Sequence, residues 1–193
     1  MSEQIKLYKK EQVENQVEIK EGDFNILDIG CSDMPFPLTV KLEKSVDFKN
    51  THYVGIDIDE ANLKEGRDWL RGRGEENFRR PSKIDFIVCD SRNLPFKKRS
   101  FDIVVFRNFL GNPKIFDNPT DEAYRVLKDG GKLVIMETYT PKNAKELLEI
   151  SGFMGEDRFI KKENEYNNRD TDKDPDAFVL TFEKLKEKDE KTA

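Results

Sequence analysis

Carboxylates mark the places in this 193-residue chain where chemistry could be done. Asp28 interrupts the apolar run of NILDIGCSD, Asp57 and Asp59 close YVGIDID, and Asp90 closes IDFIVCD. A charge inside an apolar run is costly unless it is partnered, which favours a site role for Asp28 over a stranded carboxylate. Gly30 follows at once, and a glycine where a strand ends lets the backbone approach a ligand more closely than a side chain would permit. Asp57 lies about 27 residues beyond Gly30, near the offset at which an acidic group accepts hydrogen bonds from ribose hydroxyls. A carboxylate there also disfavours a ribose that carries a phosphate. These positions point to a nucleotide-type ligand, with Asp28, Gly30, Cys31, Ser32, Asp57, Ile58, Asp90, Ser91 and Arg107 as its candidate contacts.

Several of these residues also have ordinary structural uses. Asp59, directly before ANLKEG, is placed to cap a helix. Asp90 and Ser91 could form a plain turn, yet their place after a buried run tilts the reading toward ligand contact. The two cysteines, Cys31 and Cys89, lack a CxxC partner and read as small packing residues, not nucleophiles, disulfide partners or zinc ligands. His52, the only histidine, enters the second strand at the end away from the carboxylates, so general-base catalysis by histidine is not expected. The acidic residues lack EF-hand spacing, and no metal site is expected. Arg67, Arg71, Arg73, Arg79 and Arg80 form a basic cluster that could grip phosphate, although such a cluster is more often a solvated face. Tyr124, Glu137, Tyr139, Arg107 and Asn108 are the polar side chains placed for substrate contact. No residue is marked as catalytic by its type or spacing.

The elements that must position these groups follow from periodicity. Short strands rich in β-branched residues are expected near 25–30, 53–59, 84–90 and 101–106, with a fifth in KLVIMET. Their apolar residues fall on both alternating faces, the pattern of strands covered by helices on both sides. A helix opening after Pro35 and Pro37 with Leu38, Val40, Leu42 and Val46, another around Glu60 to Leu70, and a third near Asn118 to Leu127 alternate with them. The third is expected to stop at KDGG, where Gly130 or Gly131 can take the left-handed conformation. PKNAKELLEISGF reads as a further helix closed by Gly152, then a strand near Arg158 to Lys162 and a last one in AFVLTFEKL, forming an antiparallel hairpin. Strand–helix alternation implies a parallel sheet with right-handed crossovers, hence a doubly wound, mostly parallel, seven-stranded α/β fold with a C-terminal antiparallel hairpin.

Composition sets the outer limits. With 34 basic and 39 acidic residues the net charge is -5, so no global basic field is present to hold nucleic acid. The first sixteen residues are too polar for a signal peptide, and no apolar run approaches the roughly 20 residues needed to span a bilayer. A cytoplasmic protein of one domain, without membrane contact, is the expectation.

Four segments in order, ILDIGCSD, YVGIDID, FIVCDSRNLPF followed by FDIVVF, and YRVLKDGGKLVIMET, resemble the class I S-adenosylmethionine-dependent methyltransferases, particularly the small-molecule type that includes ubiquinone and menaquinone biosynthesis enzymes. The resemblance divides the chain into a polar leader 1–22, a methyltransferase-like domain 23–185 and a tail 186–193. It implies S-adenosylmethionine as cofactor, with Asp57 on the ribose hydroxyls, Asp90 on the adenine amino group and the Gly30 loop beneath the methionine moiety. The family's loop reads GxGxG, whereas Gly30, Ser32 and Met34 stand here. The implied activity is methyl transfer to oxygen, nitrogen or carbon of a small-molecule acceptor. Alternatives are a non-catalytic or regulatory binding module, a tRNA, rRNA or protein methyltransferase, and another nucleotide-dependent enzyme on the same fold. The Asp/Asn-Pro-Pro-aromatic motif of exocyclic-amine methyltransferases is absent after strand four, where FRNFLGNP stands, which disfavours nucleic acid.

Overall fold

A computed structural model describes residues 5–13, 17–20, 22–33, 50–72, 81–107, 119–137, 159–167 and 177–186. The strands are β1 (Ile5–Lys9), β2 (Phe24–Ile29), β3 (Thr51–Asp57), β4 (Lys83–Val88), β5 (Phe101–Arg107), β6 (Leu127–Glu137), β7 (Phe159–Asn167) and β8 (Ala177–Lys184). They form a single eight-stranded sheet in the order β1-β4-β3-β2-β5-β6-β8-β7. The seven expected strands are β2 to β8, parallel except where β8 runs antiparallel to both β6 and β7. β1 is additional: the leader segment IKLYK pairs in parallel with β4 from Ile5↔Ile84 to Lys9↔Val88 and extends the sheet beyond it. The proposed helices after Pro35 and before Gly152, and the arginines at 73, 79 and 80, lie outside the described residues.

Alternation along the strands divides the core in two. On one face Ile26, Tyr53, Ile84, Phe86 and Val105 pack with Leu63 and Leu70 of helix α1 (Glu60–Gly72). On the other, Leu27, Ile29, Val54, Ile87 and Val104 pack with Ala123 and Val126 of helix α2 (Pro119–Val126), joined by Val13 and Val17 from the chain between β1 and β2. The helical spacing of Leu63, Gly66 and Leu70 makes this possible, since residues three and four apart share one face.

α2 does not stop as the sequence suggests. It ends at Val126, and Gly130, although at φ +75, lies inside the irregular start of β6, where pairing shifts between Phe101↔Leu127 and Ile103↔Lys132. The helix's last carbonyls are satisfied by tertiary donors in place of a glycine cap. Arg99 and Ser100 N–H donate to Arg125 O and Val126 O at 3.0 and 2.7 Å. Buried Lys184 Nζ donates to Tyr124 O and Leu127 O at 3.0 and 3.1 Å, with its charge 4.1 Å from the centre of the Tyr124 ring.

Candidate functional site

Strand order reverses between β2 and β5: the chain runs outward through β3 and β4 on one side and through β6 on the other. In open α/β sheets ligands bind over the carboxyl ends of the strands at such a reversal. The loop after β2 is knitted to β3 there. Gly30 and Cys31 N–H both donate to Ile56 O, at 2.9 and 3.0 Å, and Ser32 N–H donates to Asp57 Oδ2 at 3.1 Å. Gly30 sits at φ +71 and Ser32 at φ +53. Ser32 therefore keeps a left-handed backbone at a position where glycine is the residue without steric cost, with Asp57 holding it there.

Asp57 also accepts from Asp59 N–H, at 2.9 Å through Oδ1, so each carboxylate oxygen carries one backbone donor and retains acceptor capacity. Asp59 in turn accepts from Ala61 N–H at 2.8 Å and caps α1, as its place in the sequence indicates. Between the two, Ile58 is 73% exposed, an apolar side chain standing in solvent beside a polar carboxylate. The Asp57 carbonyl accepts Cys89 N–H at 3.0 Å, which brings the Asp90 turn alongside. Asp90 and half-buried Ser91 open that turn, with Asn93 N–H on Asp90 O at 3.1 Å. The Arg92 guanidinium, hydrogen-bonded to Asp90, holds its carboxyl below the usual carboxylate range. From β5, Arg107 reaches back to donate to Cys31 O at 2.8 Å.

Beneath the loop lies a buried group of side chains. Asp28 is fully buried, and Tyr53 OH donates to its Oδ2 at 2.8 Å. Burial, then the nearby Asp28 charge, pushes the Tyr53 hydroxyl well above its usual range. The Cys31 thiol is pushed well up by burial first and by Asp28 second, and that of Cys89 to about 12 by burial. Both thiols stay protonated at neutral pH, in keeping with packing roles. Gly55, paired in register with Asp28, leaves room for Cys31 and Phe86: a Cβ there would stand 2.8 Å from Cys31 Sγ and 2.9 Å from the Phe86 ring. Gly66 of α1 faces the loop itself, where a Cβ would meet Asp33 O at 3.1 Å.

The structure thus gathers Gly30, Cys31, Ser32, Asp57, Ile58, Asp90, Ser91 and Arg107 around one end of the sheet and sets Asp28 below the loop. Asn108 and Tyr139 lie outside the described residues, as does the Glu137 side chain. Sequence reading missed Tyr53, Gly55, Gly66 and Arg92. The two glycines carried a usable signal, since a glycine inside a strand or helix interior commonly marks close approach. His52 is at the opposite, amino end, 1% exposed, with Nε2 2.8 Å from Asp85 Oδ2. A cavity of about 1350 Å³ walled by Val13, Val17, Leu94 and Phe96 lies on the α2 face and does not include the loop, Asp57 or Arg107 among its described walls. Among the described residues no cluster of His, Cys, Asp and Glu could hold a metal ion, and no helix is long and apolar enough to cross a membrane.

Residues 1–151 match the ubiE/COQ5 methyltransferase family. The chain is 33% identical over 128 residues to a demethylmenaquinone methyltransferase of Lactobacillus johnsonii, spanning 66% of this chain and 49% of that protein. To a demethylmenaquinone methyltransferase of Lactococcus lactis it is 31% identical over 165 residues, spanning 81% and 62%. The chain thus spans about half the length of such relatives. A crystal structure of a SAM-dependent methyltransferase from Methanosarcina mazei shares the fold, with TM-score 0.62, 22% identity and coverage of 88% of this chain and 96% of that one.

Proposed function

Since the chain belongs to the ubiE/COQ5 methyltransferase family, we propose that it binds S-adenosylmethionine at the carboxyl ends of β2, β3 and β4 and passes the methyl group to a small-molecule acceptor. The observation that carries this reading is Asp57. It braces the Gly30 to Ser32 loop through Oδ2, keeps acceptor capacity for two vicinal hydroxyls, and sits beside an exposed Ile58 on which a flat base can rest. The residues fit the cofactor chemically: the left-handed Gly30 and Ser32 open the loop to an aminoacyl chain, and Asp90 offers an acceptor to an exocyclic amine. Arg107, with donors beyond the one given to Cys31 O, supplies a cation for the carboxylate of that chain.

When bound, the sulfonium supplies an electrophilic methyl group. The protein's part is to fix its direction and admit the acceptor in line, and such positioning alone can supply much of the rate. No histidine takes part, because His52 is buried against Asp85 at the far end of the strands. The relatives' names make a demethylated quinone the first acceptor to test. The cytoplasm is the proposed compartment, in line with two cysteines that are both free.

Calorimetric titration with S-adenosylhomocysteine tests the reading. Saturable binding to the wild type, weakened at least tenfold in Asp57→Asn, is the expected result; absence of heat and of a thermal shift at millimolar ligand removes the cofactor from the site.

A further inference from the structure

The two carboxylates at the candidate site are in different states. Asp57 accepts one backbone N–H on each oxygen. Asp90 is wrapped by Arg92: Oδ1 accepts from Arg92 N–H at 2.9 Å and from Nε at 3.0 Å, while Oδ2 accepts from Nε at 3.0 Å and Nη2 at 2.5 Å. The single Nε hydrogen is shared between the two oxygens, so three hydrogens of Arg92 meet this carboxylate, and Oδ2 is held only by the guanidinium. An exocyclic amine arriving at Oδ2 must therefore compete with the guanidinium fork for that oxygen.

We propose that Arg92 competes with the nucleoside base for Asp90, so that opening the Arg92–Asp90 pair is a step in cofactor binding and sets its affinity. The inference rests on Asp90 being the base-side acceptor. Withdrawal is feasible because the pair lies at the surface, with the Arg92 side chain 57% and the Asp90 side chain 34% exposed. It is also confined to the side chain. The Arg92 N–H bond to Oδ1 belongs to the turn and remains, so Asp90 stays in place while Oδ2 is freed. Apparent affinity is the intrinsic affinity reduced by the fraction of molecules with Asp90 released, so weakening the closed pair strengthens binding. Arginine suits this role through its fork of donors, which lysine lacks.

The experiment is calorimetric titration of the full chain with S-adenosylhomocysteine, in wild type, Arg92→Gln and Arg92→Lys, at low and high salt. Arg92→Gln is expected to bind roughly two- to five-fold tighter, the range set by the worth of an exposed ion pair, with Arg92→Lys between it and the wild type. Added salt should tighten binding in the wild type, by screening the closed pair, and leave Arg92→Gln unchanged. Equal or weaker binding by a folded Arg92→Gln, with the wild type binding normally, overturns the competition alone. Failure of the wild type to bind at all overturns the cofactor reading and this inference with it.

Discussion

Ser32 shows how one residue records the demands of a site. Its φ of +53 costs a side-chain-bearing residue about 1 kcal/mol or more, and Asp57 Oδ2 holds the backbone there. Replacing it with glycine removes that strain, less the entropy that glycine adds to the unfolded chain, so Ser32→Gly should raise stability by up to ~1 kcal/mol. A denaturant midpoint that falls or stays level would show that the left-handed turn is not a burden. The need for a tight loop was legible in the sequence at Gly30, and the Asp59 cap was legible in DEAN. The Asp28–Tyr53 pair, and which side chains fill the space that Gly55 leaves, were not. Both depend on which residue of β3 lies across from which residue of β2, a register that no local pattern states.

At the scale of elements, α2 does more than cover the sheet. Glu122 Oε2 accepts Leu94 N–H at 2.7 Å, and Arg125 donates to Glu122, Phe96 O and Leu94 O, pinning the segment after Asp90 to the helix. Burial works to raise the Glu122 pKa, but the Arg125 side chain and the Leu94 N–H outweigh it and leave the group below its usual 4.5. A lowered native pKa contributes stability that is fully present above the unfolded value and lost as pH falls through the native one. Acid unfolding below about pH 4.5 should therefore be shallower in Glu122→Gln, which should also be less stable at neutral pH by roughly 1–2 kcal/mol. Identical acid slopes for the two proteins would remove Glu122 from the account. β2 to β5 could be read as apolar runs because each is buried on both faces. β1 could not, for IKLYK has two buried positions, Ile5 and Tyr8, among exposed or half-exposed ones and borrows its order from β4.

Across the whole molecule, the antiparallel hairpin is fastened to the parallel part by Lys184 as well as by pairing with β6. Its ammonium is sealed between Tyr124 O at the end of α2 and Leu127 O at the start of β6, 3.7 Å from Asp129 Oδ1, so Lys184→Met leaves these groups without their donor while keeping the volume, and should cost about 1–3 kcal/mol in thermal or chemical unfolding. A variant as stable as the wild type would mean that water or another donor replaces the amine. Nothing in AFVLTFEKL announces this, since a lysine at a strand end reads as solvated and its acceptors lie some 60 residues away at the junction of α2 and β6. The buried His52–Asp85 pair, at the opposite end of the sheet from the Gly30 loop, has a use of another kind. Because the chain has a single imidazole, its nuclear magnetic resonance signals need no assignment by mutation, and they come from the end of the sheet away from the candidate site. The lone tryptophan, Trp69, rides on α1, the helix that Asp59 caps and the loop leans against. One protein thus carries an unlabelled spectroscopic reference for global folding and a separate fluorescent reporter on the helix that Asp59 caps, enough to tell a ligand-induced change from unfolding in one sample.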